Sequence, residues 1–268
     1  MKVIQTESRR SPWFVRFNRN HQARLRLFCF PYAGGSAGLF EPWGHAFEGV
    51  DVVGVQLPGR SNRINEKPLD SLTEIVAHLI VELRGLGDLP FVFFGHSNGA
   101  LICFELAREL QRRGIGGLQH IILSGRRAPH LPRVHPDTHD LPHDAFIEEL
   151  RSINGTPEEL LSNMELMDLF VPILRADFKV SEANKYRADI KLNTAACIFW
   201  GRLDTDIPEA EIQAWRAEFE TGDIEFAEFS GDHFFIHSQQ ELVLERVGKI
   251  LGTLPNGRAA MDLREAAG

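Results

Sequence analysis

Cysteine is scarce in this sequence, and long uncharged apolar runs are missing. The three cysteines, Cys29, Cys103 and Cys197, are widely spaced among apolar neighbours, which predicts buried free thiols and no metal site. No apolar run approaches the roughly 18 residues of a membrane-spanning helix, and the N-terminal residues lack the apolar segment of a secretion signal. We therefore expect a cytoplasmic protein without a membrane segment.

Basic residues are in deficit as well. The chain has 29 Lys and Arg against 37 Asp and Glu, which gives a formal net charge of −8. Nucleic acids and anionic membranes bind surfaces with excess positive charge, so neither is an expected partner. The hydrophobic content of 43% is ordinary for a globular protein. We expect residues 1–268 to form a single domain and the protein to be a monomer.

Strand and helix patterns alternate along the chain. Apolar segments that predict strands lie at residues 24–30, 51–56, 91–94, 119–124, 195–200 and 224–229. Helical patterns between the early strands predict an α/β fold with a mostly parallel central sheet flanked by helices. Residues 126–190 carry helical patterns alone, so we expect a helical insertion there that forms a lid over the strand ends. From about residue 255 the chain is small and polar, and we expect it to be disordered.

The segment GHSNG at residues 95–99 lies between a predicted strand and a helical pattern. A serine between two glycines at such a turn is typical of the nucleophile elbow of α/β-hydrolases, in which the glycines let strand and helix approach closely. Ser97 is therefore the candidate nucleophile, and the expected fold is an α/β-hydrolase fold. A glycine-rich turn without chemistry is the alternative.

A serine nucleophile needs a base, and the base needs a carboxylate that orients it. In α/β-hydrolases the acid and then the histidine follow the serine along the chain. His233 comes directly after a predicted strand, whereas His237 is expected inside a helix, so His233 is the preferred base. Asp204 also follows a predicted strand and is the preferred acid. Asp206 is the alternative acid, although we expect it to cap the next helix.

Two backbone N–H groups are needed to stabilise the oxyanion of a tetrahedral intermediate. One belongs to the residue after the nucleophile, Asn98. The other comes from the glycine-rich loop after the early strand at 24–30. Ala33 is the preferred donor in that loop, and Tyr32 is the alternative.

Six segments of the sequence resemble the type II thioesterases that stand alone beside nonribosomal peptide and polyketide synthases. They are FCFPYAGGSAG at 28–38, QLPGRSNRI at 56–64, FFGHSNGA at 93–100, LSGRRAPH at 123–130, LRADF at 174–178 and GDHFFI at 231–236. The resemblance implies a serine thioesterase that removes aberrant or stalled acyl groups from the phosphopantetheine thiol of carrier proteins through an acyl-serine intermediate. The roles that it implies agree with those above: Ser97, Asp204 and His233 as the triad, and Ala33 and Asn98 as the oxyanion hole.

The resemblance also implies which partners and cofactors to expect. No cofactor is expected, because the substrate itself carries the phosphopantetheine, and the partners would be acyl or peptidyl carrier domains. Asn98 departs from the methionine or leucine usual at this position, which leaves the backbone donor intact and puts substrate preference in doubt. Two alternatives stay open: another serine hydrolase or acyltransferase of the same fold, and a catalytically silent carrier-binding protein.

Two further groups of side chains are expected to contact the acyl chain or the carrier. The expected lid offers apolar residues for an acyl chamber, with ordinary helix packing as the alternative. These residues are Met164, Met167, Phe170 and Leu174. Because carrier proteins are acidic, a net-negative enzyme would need a local basic rim. The candidates for that rim are Arg60, Arg63, Arg126 and Arg127.

Overall fold

Seven strands form one sheet in the computed structural model, which describes residues 11–17, 22–87, 89–133, 136–153, 158–220 and 224–254. The strands are β1 (Phe14–Arg16), β2 (Leu25–Phe30), β3 (Val50–Val55), β4 (Phe91–His96), β5 (Leu118–Ser124), β6 (Ala196–Gly201) and β7 (Ile224–Phe229). Their order across the sheet is β1-β3-β2-β4-β5-β6-β7. Every neighbouring pair is parallel except β1 with β3, so the predicted mostly parallel sheet is confirmed.

Helices cover both faces of this sheet. The α-helices are α1 (Leu72–Leu83), α2 (Asn98–Arg112), α3 (His143–Ser152), α4 (Glu158–Leu161), α5 (Met164–Glu182), α6 (Glu209–Gln213), α7 (Phe235–Ser238) and α8 (Gln240–Thr253). Short 3₁₀ segments lie at Ala37–His45, Ser61–Arg63 and Ala214–Glu218. Every residue of β2, β3 and β4 is buried, as expected for parallel strands with helices on both sides. No helix among the described residues has the length and apolar character needed to cross a membrane.

Two apolar clusters hold the sheet between its helical layers. Ile75 and Leu79 of α1 and Leu106 of α2 belong to the cluster on one face. Trp43 of the 3₁₀ segment Ala37–His45 and Val247 of α8 belong to the cluster on the other face. Aromatic side chains from the strands fill both clusters, so the strands are fixed in position by packing on each side. This rigidity matters because the loops at the strand ends carry the candidate site.

The carboxyl ends of the parallel strands meet at one edge of the sheet. The strand order reverses direction between β2 and β4, and ligands of open α/β sheets bind at such a reversal. Loops that follow β2, β4, β5, β6 and β7 all begin at this edge. The topology thus brings together segments that lie far apart in the sequence.

Three parts of the structure differ from the sequence prediction. A 3₁₀ segment that contains Pro42 stands where a helix was expected between β2 and β3. Strand β1 was not predicted; it has three residues, and its Arg16 pairs with the fully buried Asp51. The helix expected after Asp206 begins at Glu209 and passes into a 3₁₀ segment.

The long insertion between β5 and β6 contains α3, α4 and α5. These helices share an apolar cluster of their own, separate from the two clusters of the sheet. Residues 134–135 and 154–157 of the predicted helical insertion and the tail predicted from about residue 255 lie outside the described residues.

Replacement of Gly99 by alanine should destabilise the fold. A Cβ at this position would overlap the carbonyl oxygen of Phe30, and a main-chain group cannot move away cheaply. We expect Gly99→Ala to lower the free energy of unfolding by about 3 kcal/mol or more, measured by urea denaturation. Gly252→Ala is the matched control, because nothing lies near a Cβ there and it should stabilise α8 by about 0.5–1 kcal/mol. Equal effects of the two changes would contradict this packing argument.

His120 should make stability fall in mild acid. Burial in β5 lowers its pKa from 6.5 to about 4, so the unfolded chain binds a proton that the folded chain does not. The stabilisation by neutral His120 is complete above pH 6.5 and is lost as the pH falls toward 4. Between pH 7 and pH 5 the loss in unfolding free energy should be about 2 kcal/mol smaller in His120→Leu than in the wild type. Parallel pH profiles of the two proteins would refute this prediction.

Candidate active site

Ser97 occupies a strained turn between β4 and α2. Its backbone angles are φ 54° and ψ −112°, in a region that residues other than glycine rarely adopt. The turn is held by the Ser97 N–H, which donates to the Ser124 carbonyl oxygen of the neighbouring strand at 2.7 Å. Because α2 begins at the next residue, the serine hydroxyl stands at the carboxyl edge of the sheet and lines a cavity there.

His233 and Asp204 come together at the same edge. Asp204 follows β6 and His233 follows β7, and His233 Nδ1 lies 2.7 Å from Asp204 Oδ2. A carboxylate only accepts, so Nδ1 carries a proton, and in the neutral ring Nε2 keeps its lone pair. The Asp204 side chain is 4% exposed, whereas the His233 side chain is 22% exposed and lines the cavity with Ser97. This is the tautomer that a general base for Ser97 requires.

His96 fixes the backbone of His233. The His96 Nε2–H donates to the His233 carbonyl oxygen at 3.0 Å, and Nδ1 then accepts from the Ser124 hydroxyl at 2.9 Å. Burial, and secondarily the nearby His233, hold the pKa of His96 well below its usual range, so the ring stays neutral. The residue before the nucleophile thus positions the candidate base, a contact that sequence reasoning missed.

The rival residues have other partners. His237 lies in α7, and its Nε2 is 2.9 Å from the hydroxyl of Tyr32. Asp206 is exposed, and its N–H donates to Asp204 Oδ1 at 3.1 Å. The prediction that Asp206 caps the following helix is wrong, since Pro208 occupies the N-cap position of α6.

A cavity of about 520 Å³ connects these groups. Tyr32, Ala33, Ser97, Asn98 and His233 line one part of it. Asn98 is the first residue of α2, so its N–H has no partner within the helix. Ala33 lies in a turn closed by the Gly35 N–H on the Tyr32 carbonyl oxygen, a bond that leaves the Ala33 N–H unused. No hydrogen bond within the described part of the chain uses either N–H group, and both residues line the cavity with Ser97.

A buried ion pair holds the loop that carries Ala33. Arg60 and Asp177 of α5 form two bonds, NH1 to Oδ2 at 2.6 Å and NH2 to Oδ1 at 2.9 Å, with both side chains less than 5% exposed. The Gly34 N–H donates to Asp177 Oδ2 at 2.7 Å, and Arg60 NH1 also donates to the Gly35 carbonyl oxygen at 3.3 Å. The residues on the C-terminal side of Ala33 are therefore tied to α5 by both partners of the ion pair.

The four arginines proposed for a basic rim do not form one. Arg60 is buried against Asp177, and Arg63 is buried between Glu66, the Gln56 carbonyl and the ring of Trp13. Arg127 pairs with Glu211. Arg126 lines the cavity and donates to Ser181 Oγ at 2.8 Å, and burial lowers its pKa to about 10. The positive charges of these arginines are visible in the sequence, whereas their burial and their partners are not.

The apolar residues predicted for the acyl chamber also differ in position. Met164 is 82% exposed, whereas Met167 is buried in the cluster of α3, α4 and α5. Phe170 packs against that cluster, and only Leu174 of the four lines the cavity. Helix packing, the alternative reading, accounts for Met167 and Phe170.

Asp177 is the most consequential residue that sequence reasoning missed. It stands on the apolar side of α5, between the buried residues Leu174 and Val180. Asp177 lies three residues from an apolar residue in each direction, so the helical pattern places its carboxylate on the buried face. A buried carboxylate indicates that the chain also supplies a buried partner for its charge. The sequence alone does not say which arginine that partner is.

One group of potential metal ligands lies near the cavity. Asp137, His139 and Glu182 place their ligand atoms within 4.8 Å of one another. Glu182 already accepts from the Thr138 hydroxyl at 2.6 Å and lies 2.5 Å from His139 Nδ1, and Asp137 pairs with Arg133. These contacts explain the cluster without an ion.

Known proteins resemble this chain in sequence and in fold. The sequence model of the Thioesterase domain family matches residues 25–251. The gramicidin S biosynthesis protein GrsT of Aneurinibacillus migulanus is 42% identical over 89% of this chain and 93% of its own length. The thioesterase PikA5 of Streptomyces venezuelae is 35% identical over 85% and 81%. The type II thioesterase BorB from the borrelidin cluster superposes with a TM-score of 0.81 at 32% identity, covering 89% of this chain and 97% of its own.

Loss of the Asp177 carboxylate should impair both stability and turnover. Asp177→Ala leaves the Arg60 guanidinium buried without its partner, which should cost about 3–5 kcal/mol of unfolding free energy. The double variant Arg60→Met with Asp177→Leu removes both charges and should regain most of that stability. The kcat of the double variant for a thioester should remain at least about tenfold below that of the wild type, because the Gly34 N–H has lost the acceptor that orients the loop.

Lys179→Met is the matched control on the same helix. It breaks the Lys179–Asp70 ion pair, whose side chains are 44% and 47% exposed, and should cost less than about 1 kcal/mol. Recovery of full kcat in the double variant would contradict the role of Asp177 in orienting the loop.

Proposed function

This chain belongs to the thioesterase family, and we propose that it edits carrier-bound intermediates in nonribosomal peptide or polyketide biosynthesis. It is a thioesterase of the α/β-hydrolase fold. Its proposed substrates are aberrant or stalled acyl groups on the phosphopantetheine thiol of acyl or peptidyl carrier domains, and no cofactor is needed for their hydrolysis. The protein would act as a monomer in the cytoplasm.

The observation that carries the proposal is the hydrogen bond of 2.7 Å between His233 and Asp204 in the cavity that Ser97 also lines. In the neutral ring this bond leaves the lone pair of His233 on Nε2, on the side away from Asp204. Among the described residues no hydrogen bond joins Ser97 to His233, and in enzymes without substrate such bonds are commonly long until substrate binds. The strained backbone of Ser97 supports the same role.

The proposed reaction has two steps. Ser97 Oγ attacks the thioester carbonyl carbon while His233 Nε2 takes the hydroxyl proton, and the N–H groups of Ala33 and Asn98 stabilise the oxyanion. Collapse breaks the C–S bond, and the proton on His233 goes to the departing thiolate. Water then gives its proton to His233 and attacks the acyl-serine ester, and Ser97 recovers the proton as the acid leaves. Asp204 holds His233 in the required tautomer throughout.

The helices α3, α4 and α5 are the proposed lid of this single domain. The cavity lies between the sheet edge and residues of α3 and α5, including Leu150, Leu174 and Phe178. A cover of this kind excludes water from the oxyanion while an acyl chain is bound. Similarity to GrsT, a gramicidin S biosynthesis protein, and to BorB, a type II thioesterase from the borrelidin cluster, supports an acyl chain from secondary-metabolite biosynthesis.

Turnover of acyl-loaded carrier proteins tests the proposal. The purified protein should release short acyl groups from a carrier domain, followed by intact mass, with kcat/KM at least about tenfold above that for the matching small thioesters because the carrier adds binding contacts. Ser97→Ala and Asp204→Asn should each lower kcat by about 10³-fold or more.

Asp206→Asn and His237→Gln are the matched controls for the acid and the base. Both residues lie near the triad and neither contacts His233 through its side chain. Oxygen esters hydrolysed faster than carrier thioesters would favour a general esterase. Full turnover by Ser97→Ala would exclude the serine mechanism.

A further inference from the structure

Arg126 lines the catalytic cavity without a carboxylate partner, unlike the arginines that are fully buried. Each of those pairs with an acid: Arg26 with Asp51, Arg60 with Asp177, Arg63 with Glu66 and Arg108 with Glu105. Arg126 is half-buried, and no acid within the described part of the chain forms an ion pair with it. Its NH1 donates to the uncharged Ser181 Oγ at 2.8 Å, so the guanidinium lacks a counterion.

The charges that act on Arg126 from the surrounding fold are positive. Burial lowers its pKa to about 10, and the charges of Arg127 and Arg133 act in the same direction. The guanidinium is still a cation at neutral pH. Removal of a cation from water is costly when no anion lies nearby. A ligand with a negative charge would therefore be stabilised at this position.

The carboxylates that line the cavity do not supply this anion. Asp177 and Glu182 are engaged by other side chains. Glu149 and Asp206 also line the cavity, but neither forms an ion pair with Arg126. The fold therefore leaves the counterion of Arg126 to a ligand.

One nitrogen of this guanidinium is left for a ligand. Nε is enclosed by protein atoms, and NH1 is used by Ser181. NH2 has no hydrogen-bond partner among the described residues and, unlike Nε, is not enclosed. Because Arg126 lines the cavity together with Ser97 and His233, NH2 is the atom that an anion in that cavity can reach.

The backbone of Arg126 lies close to the nucleophile. The Ser97 N–H donates to the carbonyl oxygen of Ser124 at 2.7 Å, and Arg126 comes two residues after Ser124. Two residues span at most about 7 Å. The Arg126 carbonyl accepts from Trp215 Nε1 at 2.7 Å, which fixes the main chain from which the side chain extends.

A carboxylate on the acyl group is the anion that suits this position. The substrate of the proposed reaction carries another anion, the phosphate of the phosphopantetheine arm. That phosphate joins the carrier at the end of the arm remote from the thioester, whereas the acyl group is attached at Ser97. A guanidinium binds a carboxylate through charge-assisted hydrogen bonds.

We propose that the Arg126 guanidinium binds a carboxylate on the acyl group and so favours carboxyacyl thioesters, such as half-thioesters of short dicarboxylic acids, over uncharged acyl thioesters of the same length. This inference rests on the proposed function, because it requires an acyl group in the cavity of Ser97. It makes Arg126 a residue that determines specificity, inside the cavity and not on a rim that meets the carrier.

The test compares each carboxyacyl thioester with the monoamide in which a carbamoyl group replaces the carboxylate. Malonyl, glutaryl and adipyl groups and their monoamides are offered on a carrier domain and on N-acetylcysteamine, a thiol without phosphate. For at least one chain length the wild type should have the higher kcat/KM for the carboxylate form. Arg126→Gln should lower that carboxylate-to-amide ratio by about tenfold or more on both thiols. Intrinsic reactivity of each thioester cancels between wild type and variant.

Arg175→Gln is the matched control and should leave the ratio as it is. Arg175 forms no ion pair among the described residues either, but it donates to the His139 carbonyl and does not line the cavity. Arg126→Lys serves if Arg126→Gln does not fold. It keeps the charge but loses the planar pair of N–H donors, so the ratio should fall by about threefold or more.

Two results would overturn the inference while leaving the proposed function in place. One is a carboxylate-to-amide ratio that Arg126→Gln does not change, including equal losses on both members of each pair. The other is a loss seen only on the carrier, whatever the acyl group, because Arg126 would then bind the phosphate of the arm. Absence of hydrolysis of every thioester by the wild type would instead overturn the proposed function.

Discussion

The buried ion pair between Arg60 and Asp177 is the interaction on which the geometry of the cavity depends. It joins the loop after β3 to helix α5, and through Gly34 and Gly35 it also holds the loop after β2. The Asp177 carbonyl extends the contact to Asn98 at the start of α2. Removal of two charges from water is costly, and the pair is tolerable because hydrogen bonds use both carboxylate oxygens and the guanidinium.

This constraint limits how the helical insertion, the proposed lid, can move. The part of α5 that contains Leu174 and Asp177 cannot move away from the sheet without moving the loop that carries Ala33. The earlier part of the helix, before Pro172, has no such tie and exposes Met164 and Leu169. Opening of a lid that leaves the oxyanion donors in place would therefore have to occur upstream of Pro172.

Structural features that depend on local sequence pattern could be predicted from the sequence. Features that depend on contacts between distant residues could not. The arrangement of Ser97, Asp204 and His233 was predictable, because parallel strands bring their carboxyl ends to one edge and each residue lies in the turn or loop that follows a strand. The pairing of Arg60 with Asp177 spans 117 positions, so no local pattern contains it. Arg60 and Arg63 were assigned to the surface because charge is visible in a sequence, whereas burial is a property of the fold.

The polarity of the cavity follows from the same distant contacts. An apolar chamber was expected from the methionines of the insertion, but Met167 packs among the helices and Met164 faces away from them. Asn98, Arg126 and Ser181 line the cavity instead. The Asn98 Oδ1 and the Arg126 Nε have no hydrogen-bond partner among the described residues, and both atoms are buried and not exposed to that space. The polar character of this wall is therefore set by the residues that the fold brings to the cavity, and not by the composition of the insertion.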